Sequence, residues 1–452
     1  MKTFTSLHFI GISGSGMSPL AEALFRLGTK VTGYDREVSD YGKALFALGI
    51  GISHDPQFDF GNPDGVVTSS AIASDHPQVR LAQSRGIQIF HRSDLLAHLM
   101  GQRESVAVAG THGKTSTTGM IAHMLSKTGL DPLAIVGGKM IEFGSSLLFG
   151  SGICVAEADE SDGTFLKYHQ SLAVVTNIEA DHMNYWKTEQ RLKEGFRSFI
   201  EGSSGDLPCI LGWDSPFVRD IAQNFERDFL GFGFQLGCHI RALNCLPHAT
   251  GSKFDVMIQK ERLSVGIPLP GRHNIQNALA ALSVAHVLKV PMDQAALALA
   301  SFKGVHRRFE LVYSSSHVSV FSDYAHNPGK IAAACSVLRD YFPLHRKIVV
   351  FEPHRFTRIQ SLLQGFITAF SSVDLVLVAP VYSSGEEPIA GLDEIKLASA
   401  IASASGVEAR AVSNPERLIL EATRQSGKND VILFLSAGDV TKLMEPFLGS
   451  LD

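Results

Sequence analysis

The sequence predicts an α/β fold in three domains, each with a largely parallel sheet. Short apolar runs ending at Gly, Ser, Asp or Asn recur at residues 7–10, 66–67, 106–109, 153–156, 172–175, 348–351, 375–379 and 431–435. Between many of them lie longer stretches of helical spacing, such as Leu20, Ala23, Leu24 and Leu27. Continuous apolar strands separated by helices are those of parallel sheets buried on both faces. At 452 residues the chain exceeds what one hydrophobic core organises, so two or three domains are expected.

The first domain, residues 1–101, opens on Leu7-His8-Phe9-Ile10 and closes before a new strand leads into a glycine loop. The second, 102–304, begins on that strand. It contains a polar stretch at 231–266 that suits β-hairpins, and it ends after the alanine-rich 274–287, which reads as a helix. The third, 305–452, starts with alternating Val318-Ser319-Val320-Phe321 and continues as strands and helices to the end.

Bulk properties exclude more than they assign. Apolar residues are 45% of the chain and the net charge is -5, with no basic stripe, so nucleic acid and membrane surfaces are not expected as partners. Cys154, Cys209, Cys238, Cys245 and Cys335 are scattered and form no C-x-x-C pair, which suits reduced thiols in the cytoplasm. No signal-peptide apolar region opens the sequence, and no apolar run reaches membrane-spanning length.

The strongest local signal is Gly110-Thr111-His112-Gly113-Lys114-Thr115-Ser116, after an apolar run and before the helix-like 117–127. In such a loop the backbone N–H groups, the helix N-terminus and the lysine ammonium converge on nucleotide phosphates, and the Thr115 hydroxyl is placed to meet a phosphate-bound Mg²⁺. The general P-loop has four residues between its glycines. This one has two, and Val108 stands where the earlier glycine would be. A structural glycine turn is the bland alternative, but it leaves Lys114 without a role.

Glu157-Ala158-Asp159-Glu160-Ser161-Asp162 follows the run 153–156. Four carboxylates held together need solvent or cations. Mg²⁺ keeps waters and substrate phosphates, so one or two carboxylates suffice, and Glu157 is nearest the strand end. Alone, the cluster reads more readily as a solvated acidic turn; a phosphate loop two strands away favours the metal. Asn177-Ile178-Glu179-Ala180-Asp181-His182-Met183 again follows an apolar run. His182 is then either a second metal position or an ordinary exposed histidine.

Gly11-Ile12-Ser13-Gly14-Ser15-Gly16 is close to the G-x-G-x-x-G turn, with Ser13 in place of the middle glycine. Asp35 stands nineteen residues after Gly16, where a Rossmann unit places its ribose-binding acid. The turn suits a nicotinamide cofactor or another nucleotide diphosphate, because the physics is a helix N-terminus receiving phosphate.

Taken in order, these motifs resemble those of the Mur ligase family along essentially the whole chain. Further pieces agree: Gly271-Arg272-His273-Asn274 with Asn277, Val305-His306-Arg307-Arg308-Phe309-Glu310, and Asp323-Tyr324-Ala325-His326-Asn327-Pro328. Within the family the sequence is most similar to the member that adds the first alanine. The acidic cluster and Thr176 to His182 carry that similarity, with Pro353-His354-Arg355-Phe356-Thr357-Arg358 and Val381-Tyr382-Ser383-Ser384-Gly385-Glu386.

The resemblance implies a Rossmann-like first domain that holds a UDP-sugar through Gly11, Ser13, Gly14, Ser15, Gly16, Asp35, Ser69 and Ser70. It implies a P-loop ATPase-like central domain that holds ATP through Gly110, Thr111, His112, Gly113, Lys114, Thr115, Ser116, Asn274 and Asn277. A Rossmann-like C-terminal domain would take the amino acid through His326, His354, Arg355 and Arg358; which arginine grips its carboxylate stays open. The implied catalytic set is Lys114, Glu157, His182, Arg308 and Asp323. Thr115, Glu157 and His182 would serve two Mg²⁺ ions. The substrates would be ATP, UDP-N-acetylmuramate and L-alanine, in peptidoglycan precursor synthesis by a cytoplasmic monomer or homodimer. In the implied reaction the muramyl carboxylate attacks the γ-phosphate of ATP, and the amine then attacks the acyl phosphate.

Several positions depart from the family pattern. Ser13 replaces a glycine, 323–328 is closer to ligases acting later in the pathway than to Asp-Tyr-Gly-His-His-Pro, and Ser436-Ala437-Gly438-Asp439-Val440 differs from a Gly-Ala-Gly form. Several relatives use a carbamylated lysine downstream of their Asp-His; Phe196-Arg197 stand in that region here, so none is expected. A recycling ligase that attaches an intact tripeptide to the same sugar is the alternative within the family. A nicotinamide oxidoreductase and a non-catalytic nucleotide-binding module are the alternatives outside it.

Overall fold

Apolar runs become strands because a parallel sheet buries both of its faces, and the computed structural model gathers them into three sheets. It describes residues 4–204, 207–223, 225–248, 251–425, 427, 429–438 and 440–451. Asp439, in one of the departing segments, lies outside them. The chain forms two compact units. One is Met1–Cys245 with Phe254–Ile267 and His273–Lys303; the other is Leu246–Lys253 with Pro268–Arg272 and Gly304–Asp452. Among the described residues no helix is long and apolar enough to cross a membrane.

The first sheet comprises β1 (Ser6–Ile10), β2 (Lys30–Tyr34), β3 (Gly51–Ser53), β4 (Gly65–Thr68) and β5 (Ile89–His91), in the order β3-β2-β1-β4-β5 and parallel throughout. The chain steps outward from β1 to β3 and then returns to lay β4 on the other side of β1. Open α/β sheets bind ligands at such a reversal, beyond the carboxyl ends of the strands. Gly11–Gly16 follows β1 and Ser69-Ser70 follows β4, so both segments lie there. Helix Ser18–Arg26 begins with Pro19 in its first turn and buries Leu20, Ala23 and Leu24 in the core that holds Leu7 and Phe9 of β1.

The second sheet has ten strands: β6 (Ser105–Ala109), β7 (Leu133–Met140), β8 (Ser145–Leu148), β9 (Cys154–Glu157), β10 (Leu172–Val175), β11 (Cys209–Gly212), β12 (Phe229–Gly233), β13 (Ile240–His248), β14 (Gly251–Ile258) and β15 (Glu261–Ile267). Their order is β15-β14-β13-β12-β11-β10-β6-β9-β7-β8. β9 and β10 flank β6 directly and in parallel. The three motif-bearing runs thus end side by side, closer than their spacing in the chain suggests. The expectation of hairpins at 231–266 holds for its later part, where β14 and β15 are joined by Gln259-Lys260; β12 instead continues the parallel sheet.

The third sheet comprises β16 (Glu310–Ser314), β17 (Val318–Asp323), β18 (Arg346–Phe351), β19 (Leu375–Val378), β20 (Glu408–Ala411) and β21 (Asp430–Leu435), in the order β16-β17-β21-β18-β19-β20. Only β16 runs antiparallel. Alternate residues enter opposite cores: Val349, Phe351 and Leu433 one, Ile348, Val350 and Phe434 the other.

Candidate active site

β6 runs to Ala109 and helix Lys114–Lys127 begins just after Gly113, so the loop is residues 110–113 alone. Val108 is a strand residue paired with Glu157 of β9, which is why no glycine stands there. Gly110 has φ 134° and Gly113 φ 82°, a region L-residues avoid. A Cβ on Gly110 would also run into Thr176 Oγ1, and one on Gly113 into Asn277 Oδ1. Asn177, directly after β10, clamps the loop: its carbonyl accepts the Thr111 N–H at 3.0 Å, its Oδ1 the His112 N–H at 2.9 Å, and its Nδ2 donates to the His112 carbonyl at 3.0 Å. Helix 114–127 leaves its first-turn N–H groups, around half-buried Ser116, without intrahelical acceptors, and its positive end favours an anion there. Asn277 and Asn274 are buried; Thr117 Oγ1 donates to Asn277 Oδ1 at 3.1 Å, and Asn277 Nδ2 to Asn274 Oδ1 at 3.2 Å.

Thr115 Oγ1 lies 3.0 and 3.1 Å from the two oxygens of Glu157, whose Oε2 also accepts the Gly137 N–H at 3.1 Å. Lys114 Nζ donates to the Gly110 carbonyl at 2.6 Å and to Glu160 at 2.7 and 3.0 Å. Burial pulls the Lys114 pKa down, but Glu160, Asp159 and Glu157 together outweigh it and raise it. Burial raises Glu160 as well, against the pull of Lys114. His182 takes a left-handed conformation, φ 54°, at the start of the short helix Met183–Trp186. Its Nε2 lies 4.0 Å from Glu160 Oε1 and 3.9 Å from Asp181 Oδ2, so it is brought to Glu160 rather than to Glu157.

A cleft of about 540 Å³ is lined by Gly11, Ser13, Gly14, Ser15, Gly16, Asp35 and Ser69 from the first sheet and by Gly137, Glu157 and Asp159 from the second. Asp35 Oδ2 accepts the Ser13 N–H at 2.8 Å and so shapes the turn. The bulk that Ser13 adds is accommodated at Gly42, where a Cβ would collide with its hydroxyl. Ser70 does not line the cleft; its hydroxyl donates to Asp162 at 2.5 Å. Four carboxylates line the cleft, those of Asp35, Glu37, Glu157 and Asp159. Among the described residues its one basic lining residue is Arg92, whose guanidinium lies against Gly16 and 3.7 Å from Asp159.

In the third sheet, Asp323 at the end of β17 accepts the Phe309 and Ala325 N–H groups at 2.7 Å each. Burial raises its pKa, with Arg308 the largest opposing influence. His326 donates Nδ1–H to the Tyr324 carbonyl at 2.8 Å, and burial pushes its pKa down to about 3. His354 stacks on Tyr382, its ring centroid 5.9 Å from that of His326. Arg358 Nη1 donates to His354 Nδ1 at 3.1 Å, and burial, then Arg358 and Arg355, lower the His354 pKa to about 4. His326, His354 and Arg358 thus gather, while exposed Arg355 is drawn 3.4 Å from Glu386. Arg308 lies over the Tyr324 ring, 5.6 Å from its centroid.

Models of the Mur ligase family match three segments: the family's catalytic domain at 6–104, its middle domain at 108–285 and its glutamate ligase domain at 307–438. A UDP-N-acetylmuramate--L-alanine ligase of Desulfatibacillum aliphaticivorans is 37% identical over 448 residues, 98% of each chain. Another, from Anaeromyxobacter sp. (strain Fw109-5), is 40% identical over 452 residues, 99% of this chain and 98% of its own. The chain belongs to the Mur ligase family. A solved UDP-N-acetylmuramate-alanine ligase of Thermotoga maritima is similar at TM-score 0.84 and 26% identity over 99% of each chain. A murein peptide ligase of Psychrobacter arcticus 273-4 shares the fold at TM-score 0.71 and 24% identity, over 99% of this chain and 98% of its own.

Two departures from the Mur ligase pattern have local physical reasons here. Asn327 caps helix Pro328–Tyr341, its Oδ1 accepting the Lys330 N–H at 3.0 Å. Ser436 donates its hydroxyl at 2.5 Å to Glu352, a buried carboxylate that also accepts the Gly438 and Val440 N–H groups at 3.0 and 3.1 Å. Sequence reasoning quoted Asn177 in its motif without a role at the loop, and missed Arg92 and the pairing of Glu160 with Lys114. The signal was position: each stands at or just beyond the carboxyl end of a parallel strand, where ligands gather.

Proposed function

We propose that this Mur ligase joins L-alanine to the carboxylate of UDP-N-acetylmuramate, using ATP and passing through an acyl phosphate. One observation carries the reading: the cleft lined by the turn 11–16 is lined also by Glu157, and Glu157 pairs with Thr115 in the first turn of the helix behind the loop 110–113. Relatives with the alanine-ligase name, 37% and 40% identical over nearly full length, support alanine over an intact tripeptide. We assign residues 1–101 to the UDP-sugar, 102–304 to ATP and 305–452 to the amino acid, in a cytoplasmic enzyme.

A carboxylate does not condense directly with an amine, because hydroxide is a poor leaving group; phosphorylation supplies a better one. Lys114 offsets charge that spreads over the transferring phosphoryl oxygens, and the first-turn N–H groups of helix 114–127 hold the phosphates in line. Arg92 and the turn 11–16 hold the diphosphate, which orients the muramyl carboxylate. Arg358 or Arg355 holds the alanine carboxylate, and burial keeps His326 and His354 neutral beside it.

The oxygens of Thr115 and Glu157 form a hard donor set that suits Mg²⁺. Among the described residues no group of three His, Cys, Asp or Glu could hold a metal by itself, which fits an ion completed by waters and phosphate oxygens. When bound, such an ion withdraws charge from the phosphates. A second ion would rest on His182.

The experiment is oxygen-18 placed in the muramyl carboxylate. One labelled oxygen passing into released phosphate is expected. Full retention in the product would exclude the acyl phosphate.

A further inference from the structure

An ammonium has three N–H donors. On Lys114 they meet the Gly110 carbonyl at 2.6 Å and the two Glu160 oxygens at 2.7 and 3.0 Å. The pair is closed off, the lysine side chain 12% exposed and the glutamate side chain 2%. A phosphate oxygen can therefore reach Lys114 only if an acceptor lets go. The Gly110 carbonyl belongs to a backbone fixed by φ 134° and by Thr176 and Asn177. Glu160 is a side chain with another partner in reach, His182 Nε2 at 4.0 Å.

The neighbours of Glu160 hold its loop from the other side. Asp159 lies 3.7 Å from Arg92, Asp162 accepts from Ser70 at 2.5 Å, and the Glu160 carbonyl accepts Trp186 Nε1–H at 3.1 Å. The backbone is thus tied while the carboxylate can swing. On the reading of 110–116 as the ATP loop, we infer that Glu160 is a positioning residue that occupies the phosphate's place on Lys114 and passes to His182 when nucleotide binds. It spares the free enzyme a buried, unpaired ammonium. It also competes with ATP for that ammonium.

The test is calorimetric titration of ATP, in excess EDTA, into the full chain. Glu160→Gln tightens ATP roughly tenfold, the effect of removing one charge-assisted competitor. Glu160→Asp, with shorter reach, tightens it by less. In a Lys114→Met background, Glu160→Gln shifts affinity by no more than about twofold, because the competition has gone. A glutamate with a merely structural role, or one that bridges lysine and phosphate together, gives the opposite sign. Weakened or unchanged ATP binding in Glu160→Gln or Glu160→Asp overturns the inference, as does equal tightening with and without Lys114. A wild-type chain that binds no ATP sinks the reading of the loop itself.

Discussion

Replacing Arg92 by alanine isolates the sugar-nucleotide part of this account. Among the described residues Arg92 is the only basic one lining a cleft that carries four carboxylates, so its loss leaves a diphosphate facing uncompensated negative charge. The contact given up in the free protein is small: at 3.7 Å and partly exposed, the Asp159 pair contributes about 0–1 kcal/mol. A charge-assisted hydrogen bond to phosphate contributes about 1.5–3 kcal/mol, so the net loss is roughly 0.5–3 kcal/mol, or about 2- to 160-fold in Kd. Titration calorimetry with UDP-N-acetylmuramate, UDP and uridine separates the causes. Arg92→Ala weakens the two diphosphates and leaves uridine within about twofold, and Arg92→Lys recovers part of the loss, since lysine keeps the charge but not the planar fork. If uridine weakens as much as UDP, or UDP binds as before, Arg92 does not serve the diphosphate.

Lys114→Met abolishes turnover in a phosphate-release assay, but it also strands buried Glu160 and lowers unfolding stability by about 3–5 kcal/mol. Adding Glu160→Gln restores stability without restoring turnover; recovered turnover would remove Lys114 from the chemistry. Gly110→Ala costs about 2–4 kcal/mol in denaturant unfolding, from φ 134° strain and displacement of the Thr176 hydroxyl that donates to His112 O at 2.6 Å. Gly129→Ala, at φ 83° with open space around it, shows strain alone and a smaller loss. Buried His8 has its pKa lowered from 6.5 to about 4 by burial, against the pull of Gln78, so the unfolded chain takes up the proton first as pH falls. Its contribution is complete above pH 6.5 and shrinks by about 3 kcal/mol towards pH 4. A His8→Phe variant should show a correspondingly flatter pH-stability curve, and an unchanged slope would contradict this.

The sheets were legible because apolar runs such as 106–109 and 172–175 are long enough to mark buried strands, and the glycines were legible because positive φ leaves few alternatives. Strand order was not. Nothing in the chain states that β9 and β10 flank β6, and that adjacency is what places Glu157 on Thr115 and Asn177 on the loop. Arg92 was hidden for the same reason, since it approaches Gly16 only after β4 and β5 return past β1. Ser13, Asn327 and Ser436 read as departures until Gly42, the Lys330 N–H and Glu352 are seen beside them.

The most direct measurement is the identity of the product when ATP and UDP-N-acetylmuramate are offered with equimolar L-alanine, L-serine, glycine and L-Ala-γ-D-Glu-diaminopimelate. The expected result is the L-alanyl product in one-to-one ratio with phosphate and no turnover when any one substrate class is omitted. Serine and glycine should follow weakly, because a pocket separates such neighbours by only about 1–3 kcal/mol. A preference for glycine or the tripeptide, or phosphate release without any amide product, would contradict it.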